Sequence, residues 1–376
     1  MNMPTVCLRP LVLALLGLSG LSAHAFDQKL SGFGTIAAGE TFGACTQATT
    51  AAFSGPCTRF IADWAHAGVY TPDLSARAES RIGLQWTGTF TDSLSATAQG
   101  VGRLTAGTKA DVEWAYLTDK INSSWTLQVG RKRLPLYYYS DFQDVGYAYT
   151  MVRPSPDVYG WDVVNYNGAN LDYAGDFGAW SVRASLYGGN EDSRKNKYST
   201  LVSSDPLDIK WKDIVGGSIE ASRDWLTLRA SYTQSKMQID DALAGGQQVL
   251  PSGATTGRQD FYGIAAIVDY EDWLGRAELA ASDRSDQGYK AHFLYVNAGR
   301  RFGDFTTMLQ YSQYFESSTV GAAYAPIHNR ALSSTLRYEV SKSSDLKLQF
   351  DRDIDTSSIK YTGSANVLSL AYDFVF

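Results

Sequence analysis

Charged side chains recur opposite large apolar ones along much of this chain. Arg81, Arg183, Arg229, Arg276, Arg337 and Lys347 do so, as do Glu113, Asp172, Glu220, Glu278, Glu339 and Asp351. Successive residues of an extended strand point to opposite faces, so these charges gather on one face. Mixed charges on a wall perform no covalent chemistry. They produce a field that orders polar solutes and disfavours apolar ones, which must displace oriented water. Covalent chemistry has little support. Histidine is scarce, and His66, His292 and His328 sit in no recognisable catalytic string with Ser or acid partners. No enzymatic activity is expected.

A second concentration of charge lies in "RKRLPLYYYSDFQDVGYAYTMVRPSPDVYGW". It joins Arg131, Lys132 and Arg133 to Asp141, Asp144 and Asp157, with many tyrosines and several prolines. Placed inside a lumen, the segment from about residue 132 to 160 sets a constriction, its acids across from wall arginines. Placed outside the mouth, it packs only on its neighbours.

These residues need a scaffold. From about residue 76, segments of about ten residues alternate in polarity, and the gaps between them alternate short and long. "SRIGLQWTGTF" sets Ile82, Leu84, Trp86 and Phe90 against Arg81, Gln85 and Thr87. "ADVEWAYL" sets Val112, Trp114 and Tyr116 against Glu113. "SWTLQVGR" and "AWSVRASLYGG" follow the same rule, and "LSLAYDFVF" closes the chain with an apolar comb. Short gaps such as "SRD", "YED", "FGD" and "KSSD" fall on one side and the longest gaps on the other. About sixteen strands result. The pattern is an all-β, antiparallel, up-and-down transmembrane β-barrel. Arg or Lys facing lipid at the bilayer midplane costs about 2–4 kcal/mol, so the charged faces must turn inward. A barrel this wide is not filled by wall side chains alone, which predicts a wet interior. A soluble sandwich or propeller is the competing architecture, but no blade repeat is visible.

Composition agrees. The 376 residues include 23 Tyr, 16 Phe, 9 Trp and 34 Gly, an aromatic- and glycine-rich mixture suited to barrels. Mean hydropathy is −0.22, as one wet and one oily face would give. The first 25 residues read as a secretory signal: Arg9, the apolar run "LVLALLGLSGL" and an "AHA" cleavage site. Residues 26–376 then form the barrel domain. Loss of Arg9 leaves 32 basic against 39 acidic residues, which argues against a nucleic-acid partner. Cys45 and Cys57 are expected to pair in an oxidising compartment. That ring restricts a loop by roughly 3 kcal/mol in the chain-entropy model. Their spacing matches no zinc pattern, and no metal or cofactor is expected.

The chain resembles the Gram-negative general porin superfamily of sixteen-stranded outer-membrane barrels. "LSGFGTIAAG" resembles its first strand, "SRIGLQ" its second, "LQVGR" its fifth strand entering the third loop, and "YDFVF" its C-terminal signature. The resemblance implies a homotrimer in outer-membrane lipid and lipopolysaccharide, passing small polar solutes and ions by passive diffusion. It implies that Phe376 is read by the assembly machinery. It also implies an eyelet of Asp141 and Asp144 facing Arg81 and Arg183. The Cys pair, "RKR" and "YYY" depart from the commonest members. Selectivity therefore stays open, with a substrate-selective channel and a structural or adhesive barrel as alternatives.

Overall fold

The computed structural model describes residues 27–43, 59–105, 110–203, 205–359 and 363–376. The expected signal segment and the Cys45–Cys57 pair lie outside the described residues.

Sixteen strands close a barrel: β1 (Asp27–Phe42), β4 (Arg81–Thr89), β5 (Leu94–Arg103), β6 (Ala110–Lys120), β7 (Trp125–Arg133), β8 (Asn165–Phe177), β9 (Trp180–Ser193), β10 (Leu207–Arg223), β11 (Leu226–Asp241), β12 (Gly257–Tyr270), β13 (Trp273–Arg284), β14 (Tyr289–Phe302), β15 (Phe305–Ser318), β16 (His328–Ser341), β17 (Ser344–Asp355) and β18 (Ala365–Val375). All neighbours are antiparallel, and β1 pairs with both β4 and β18. Two short strands, β2 (Phe60–Asp63) and β3 (Gly68–Tyr70), form a separate hairpin in the first long connection.

Burial is inverted relative to a water-soluble sheet. Along β18, Ser369 and Asp373 are 1% and 0% exposed, whereas Leu368 and Leu370 are 42% and 47% exposed. On β17, Lys347, Gln349 and Asp351 are buried, while Leu346, Leu348 and Phe350 are exposed. Polar residues inside and apolar residues outside fit a hydrocarbon solvent, where a closed barrel leaves no backbone group unpaired. The chain is a transmembrane β-barrel.

The short connections gather at one end. Gly178, Asp224, Glu271 and Gly303 each begin a two-residue turn with positive φ, the mirror-type hairpin that matches strand twist. Exposed aromatics flank these turns: Phe177, Trp225, Tyr270, Trp273, Phe302 and Phe305. They form the girdle expected where barrel meets headgroups.

Phe376 seals the seam beside β18. Its N–H donates to the Gly32 carbonyl at 3.0 Å, and its carbonyl accepts from the Gly32 N–H at 2.8 Å. Its ring covers Gly32 so closely that an added Cβ would lie 2.4 Å from it. Removing Phe376 is therefore expected to lower the yield of heat-modifiable folded barrel in refolding gels. Wild-type yield from the truncated chain would count against its role in closure.

Two bulges interrupt the alternation, and the first corrects the sequence reading. A register shift between β5 and β6 brackets Glu113. Val112 and Leu117 stay on the exposed face, while Tyr116 lies under the Lys132 ammonium at 5.3 Å and Trp114 packs 6.1 Å from Tyr116. Trp114 and Tyr116 thus line the interior rather than joining Val112 on the lipid side. A second bulge, between Lys212 and Val215 of β10, buries Trp211 and Ile214 while exposing Val215. Both cases follow from one extra residue reversing the alternation.

Candidate functional site

The connection from β7 to β8 spans residues 134–164, with short turns at Ser140–Phe142 and Gly146–Ala148 and a helical turn at Pro156–Tyr159. Arg131, Lys132 and Arg133 belong to the end of β7, so the connection begins two residues later than the sequence suggested. Its contacts are with inward-facing residues of the wall, in three groups.

The first group centres on Asp144. Its Oδ2 accepts from Arg103 at 2.8 Å and from Arg133 at 2.5 Å. Glu113 completes the cluster, accepting from Arg103 at 2.7 Å and Arg133 at 3.2 Å. Arg81 donates to the Asp144 carbonyl at 2.8 Å and to the Tyr149 hydroxyl at 2.9 Å. Burial pushes the Asp144 carboxyl up, but the three guanidinium groups win and hold it well below the usual carboxylate range. The expected arrangement had Asp144 facing wall arginines across open water. Instead it is bonded to them, and Arg81 anchors the connection.

The second group fixes the middle. Lys347 donates to the Gly146 carbonyl at 2.7 Å and pairs with Asp373 at 2.9 Å. Gly146 is needed here, because a Cβ would meet the Asp373 carboxylate at 2.0 Å. Arg337 pairs with Asp345 at 2.9 Å and approaches Glu339 at 3.6 Å. Arg153 bridges Glu79 and Asp351 and lies 5.4 Å from the rings of Phe60 and Tyr70, so the β2–β3 hairpin is packed into the same interior. Lys347, Arg337 and Asp351 were expected as water-facing lumen charges. They are ion-paired anchors.

The third group is aromatic. Tyr137 packs 5.0 Å from Phe261 and 4.9 Å from Tyr159, and Trp161 packs 5.6 Å from Phe261. Arg276 stacks on Tyr139 at 3.7 Å, and Tyr159 donates to Glu278. Arg229 donates to the Pro135 carbonyl at 2.6 Å, and Ser231 to the Leu136 carbonyl at 2.8 Å. This side of the interior is a packed aromatic core, not the uniformly wet wall that the alternation of charges suggested.

The water-facing groups lie elsewhere. Asp141 keeps solvent contact inside the barrel, and its carboxyl feels the charges of Lys132, Arg229, Arg133 and Asp172. Burial within the barrel pushes the Asp141 carboxyl up, against the pull of Lys132 and Arg229. Arg183 is exposed. It shares a face with Tyr187, four residues along β9, whose hydroxyl meets Thr233 at 2.6 Å in the interior. Across the strands Arg183 is level with Glu220, and Glu220 with Arg229. Arg131 donates to Glu191 at 2.8 Å and to the Val112 carbonyl at 2.7 Å at the rim. Arg103, Glu79 and Arg153 were missed by sequence reasoning. Arg103 had a signal, since Thr97, Gln99, Val101 and Arg103 alternate to one face, all buried.

His66, in the β2–β3 hairpin, turns Nδ1 to Asp63 at 2.8 Å and Nε2 toward Glu113 at 3.8 Å. Both ring nitrogens face carboxylates, leaving neither aimed at a nucleophile.

No family model matches the sequence, and no curated protein matches it. Solved structures do. The outer membrane channel DcaP of Acinetobacter baumannii superposes with a TM-score of 0.60 at 13% identity, over 96% of this chain and 100% of that one. The anion-selective porin from Comamonas acidovorans gives 0.57 at 14% identity, over 93% and 100%. OmpT of Vibrio cholerae in its trimer form gives 0.53 at 11% identity, over 93% and 99%. At these identities the likeness is one of fold.

Proposed function

Given that this chain has the fold of the Gram-negative outer-membrane porins, we propose that it is a non-catalytic channel in that membrane for passive diffusion of small hydrophilic solutes and ions. The observation that carries the reading is the inverted wall. Charged and amide side chains point inward, and Asp141, Lys132, Asp172 and Arg183 are left unburied within. Residues 134–164 act as the constriction, narrowing the passage to the side where Asp141 faces Lys132. Three such barrels assemble, as the trimer form of one structural neighbour supports, in contact with lipid and lipopolysaccharide.

A substrate-selective channel is the second reading. The aromatic core beside residues 134–164 favours it, because it leaves less of the cross-section to water. A structural or adhesive barrel is the remaining rival. Recordings in planar bilayers separate them: the proposal expects discrete conductance steps from protein whose folding is verified by heat-modifiable gel migration. Silent bilayers with folded protein would remove the channel function.

A further inference from the structure

We infer that the chamber at the long-loop end binds a small organic cation with an aromatic or other flat apolar body. The inference deepens the channel reading and rests on it only for the cation's passage along the lumen.

The chamber is a cavity of about 430 Å³ between Trp64, residues 156–162 and the long-loop ends of β10 to β16. Its size suits one small molecule. Aromatic rings supply its walls: Tyr289 stacks on Tyr324 at 5.1 Å and 12°, Phe293 packs 5.1 Å from Tyr314, and Trp64 packs 5.6 Å from Tyr198. Ring faces attract cations and apolar bodies alike.

The charges are unbalanced. Four charged residues line the cavity: Arg284, Asp162, Asp157 and Glu316. Arg284 is committed, pairing with Asp162 at 3.0 Å and stacking 4.7 Å above Trp161. Among the described residues, neither Asp157 nor Glu316 has an ion-pair partner. Asp157 accepts from Ser312 at 3.1 Å. Glu316 accepts from the Tyr324 hydroxyl and the Ile327 N–H, each at 2.8 Å, and from Tyr314. Asp353 of β17, whose charge acts on Asp157, is 5% exposed, and its Oδ1 has no hydrogen-bond partner among the described residues. Asn329 lines the cavity with its Oδ1 also unpartnered. Arg153 is occupied by Glu79 and Asp351. Buried carboxylates without a counter-charge are costly. A bound ammonium group would supply that charge, donating to the open Asn329 Oδ1 and to Asp157 on the cavity wall, with Asp353 adding its field from behind.

Asp157 faces Ser312 and Glu316 of β15, Asn329 of β16, and Asp351, Asp353 and Asp355 of β17. Burial pushes its carboxyl up to about 6. Protonation below that pH removes negative charge, so cation binding should weaken there.

The test uses the full barrel folded in detergent, with binding followed by saturation-transfer NMR, which needs no conduction. The probes are phenethylammonium, 3-phenylpropionate of similar size and opposite charge, and propylammonium without a ring. Phenethylammonium should bind at least about tenfold more tightly than either control, and Asp157→Asn or Asp353→Asn should weaken it about tenfold. Equal binding of 3-phenylpropionate overturns the inference, as does unchanged affinity in both variants. If either variant fails to fold, the three-probe comparison on the wild type still decides. A barrel that conducts but binds no probe defeats the inference alone. A barrel that binds phenethylammonium but stays silent in bilayers defeats the channel reading and leaves the site standing.

Discussion

Asp144→Asn is expected to loosen residues 134–164 and to cost about 3–5 kcal/mol, the range for breaking a buried ion pair from one side. The carboxylate is the shared partner of Arg103 at 2.8 Å and Arg133 at 2.5 Å, with Arg81 at 4.0 Å. An amide of the same shape keeps the packing but takes from three neighbouring guanidinium groups the carboxylate they share, leaving Arg103 and Arg133 to Glu113 and Arg103 to Asp111 at 3.5 Å. Folded barrels should then become cleavable by protease between Leu134 and Val164, and their single-channel conductance should rise and grow noisy. Wild-type protease resistance and conductance would show that the aromatic contacts hold the segment alone. The pH dependence has a definite sign. The folded carboxyl lies below its ordinary value, so the stabilisation is complete above the unfolded pKa of about 3.9. It is lost only as pH falls below that toward the folded value. The hold of Asp144 on residues 134–164 should therefore persist across mildly acidic solution, seen as unchanged protease resistance of the wild-type barrel.

The second large effect concerns ion preference. Replacing Lys132 and Arg183 together with Gln should shift the reversal potential in a salt gradient toward the cation. A threefold to tenfold change in permeability ratio is the order expected for two charges in a confined aqueous path. Both residues are only partly covered, and neither holds residues 134–164 in place: Lys132 donates to Gln128, and Arg183 is exposed. Arg81→Gln should behave differently. Its guanidinium is occupied by Asp144, Gln143 and Tyr149, so its loss should resemble Asp144→Asn, with little change in selectivity. An unshifted reversal potential in the Lys132/Arg183 variant would move the narrowest charged point elsewhere.

The alternation of Ser369, Ala371 and Asp373 against Leu368, Leu370 and Tyr372 was enough to place β18, because in lipid each face has only one tolerable polarity. The same logic failed at Trp114 and Tyr116. An aromatic ring is as welcome against interior aromatics as against acyl chains, and periodicity does not register a bulge at Glu113. Arg183 could be named from sequence as a charge on an inward strand face, and Asp141 and Lys132 as charges of the long segment that follows "LQVG". That Lys347, Arg337 and Asp351 serve as anchors could not, since the groups they hold, the Gly146 and Tyr149 carbonyls and Arg153, are set by where residues 134–164 cross the interior. The β2–β3 hairpin gave no signal of lying inside, because its position depends on Arg153 meeting Phe60 and Tyr70.

The seam between β1 and β18 has a temporal consequence. Phe33 faces Val375 across it, so the first ribbon of the cylinder waits for the last before its edge is satisfied. Gln349, Lys347 and Asp351, which receive residues 146–153, arrive about two hundred positions later in the sequence. Such distant pairings are slow to find one another. During export the incomplete sheet carries an open margin and a greasy exterior, both invitations to aggregate. A chain with this topology is most exposed to misassembly in the interval before its opposite ends meet.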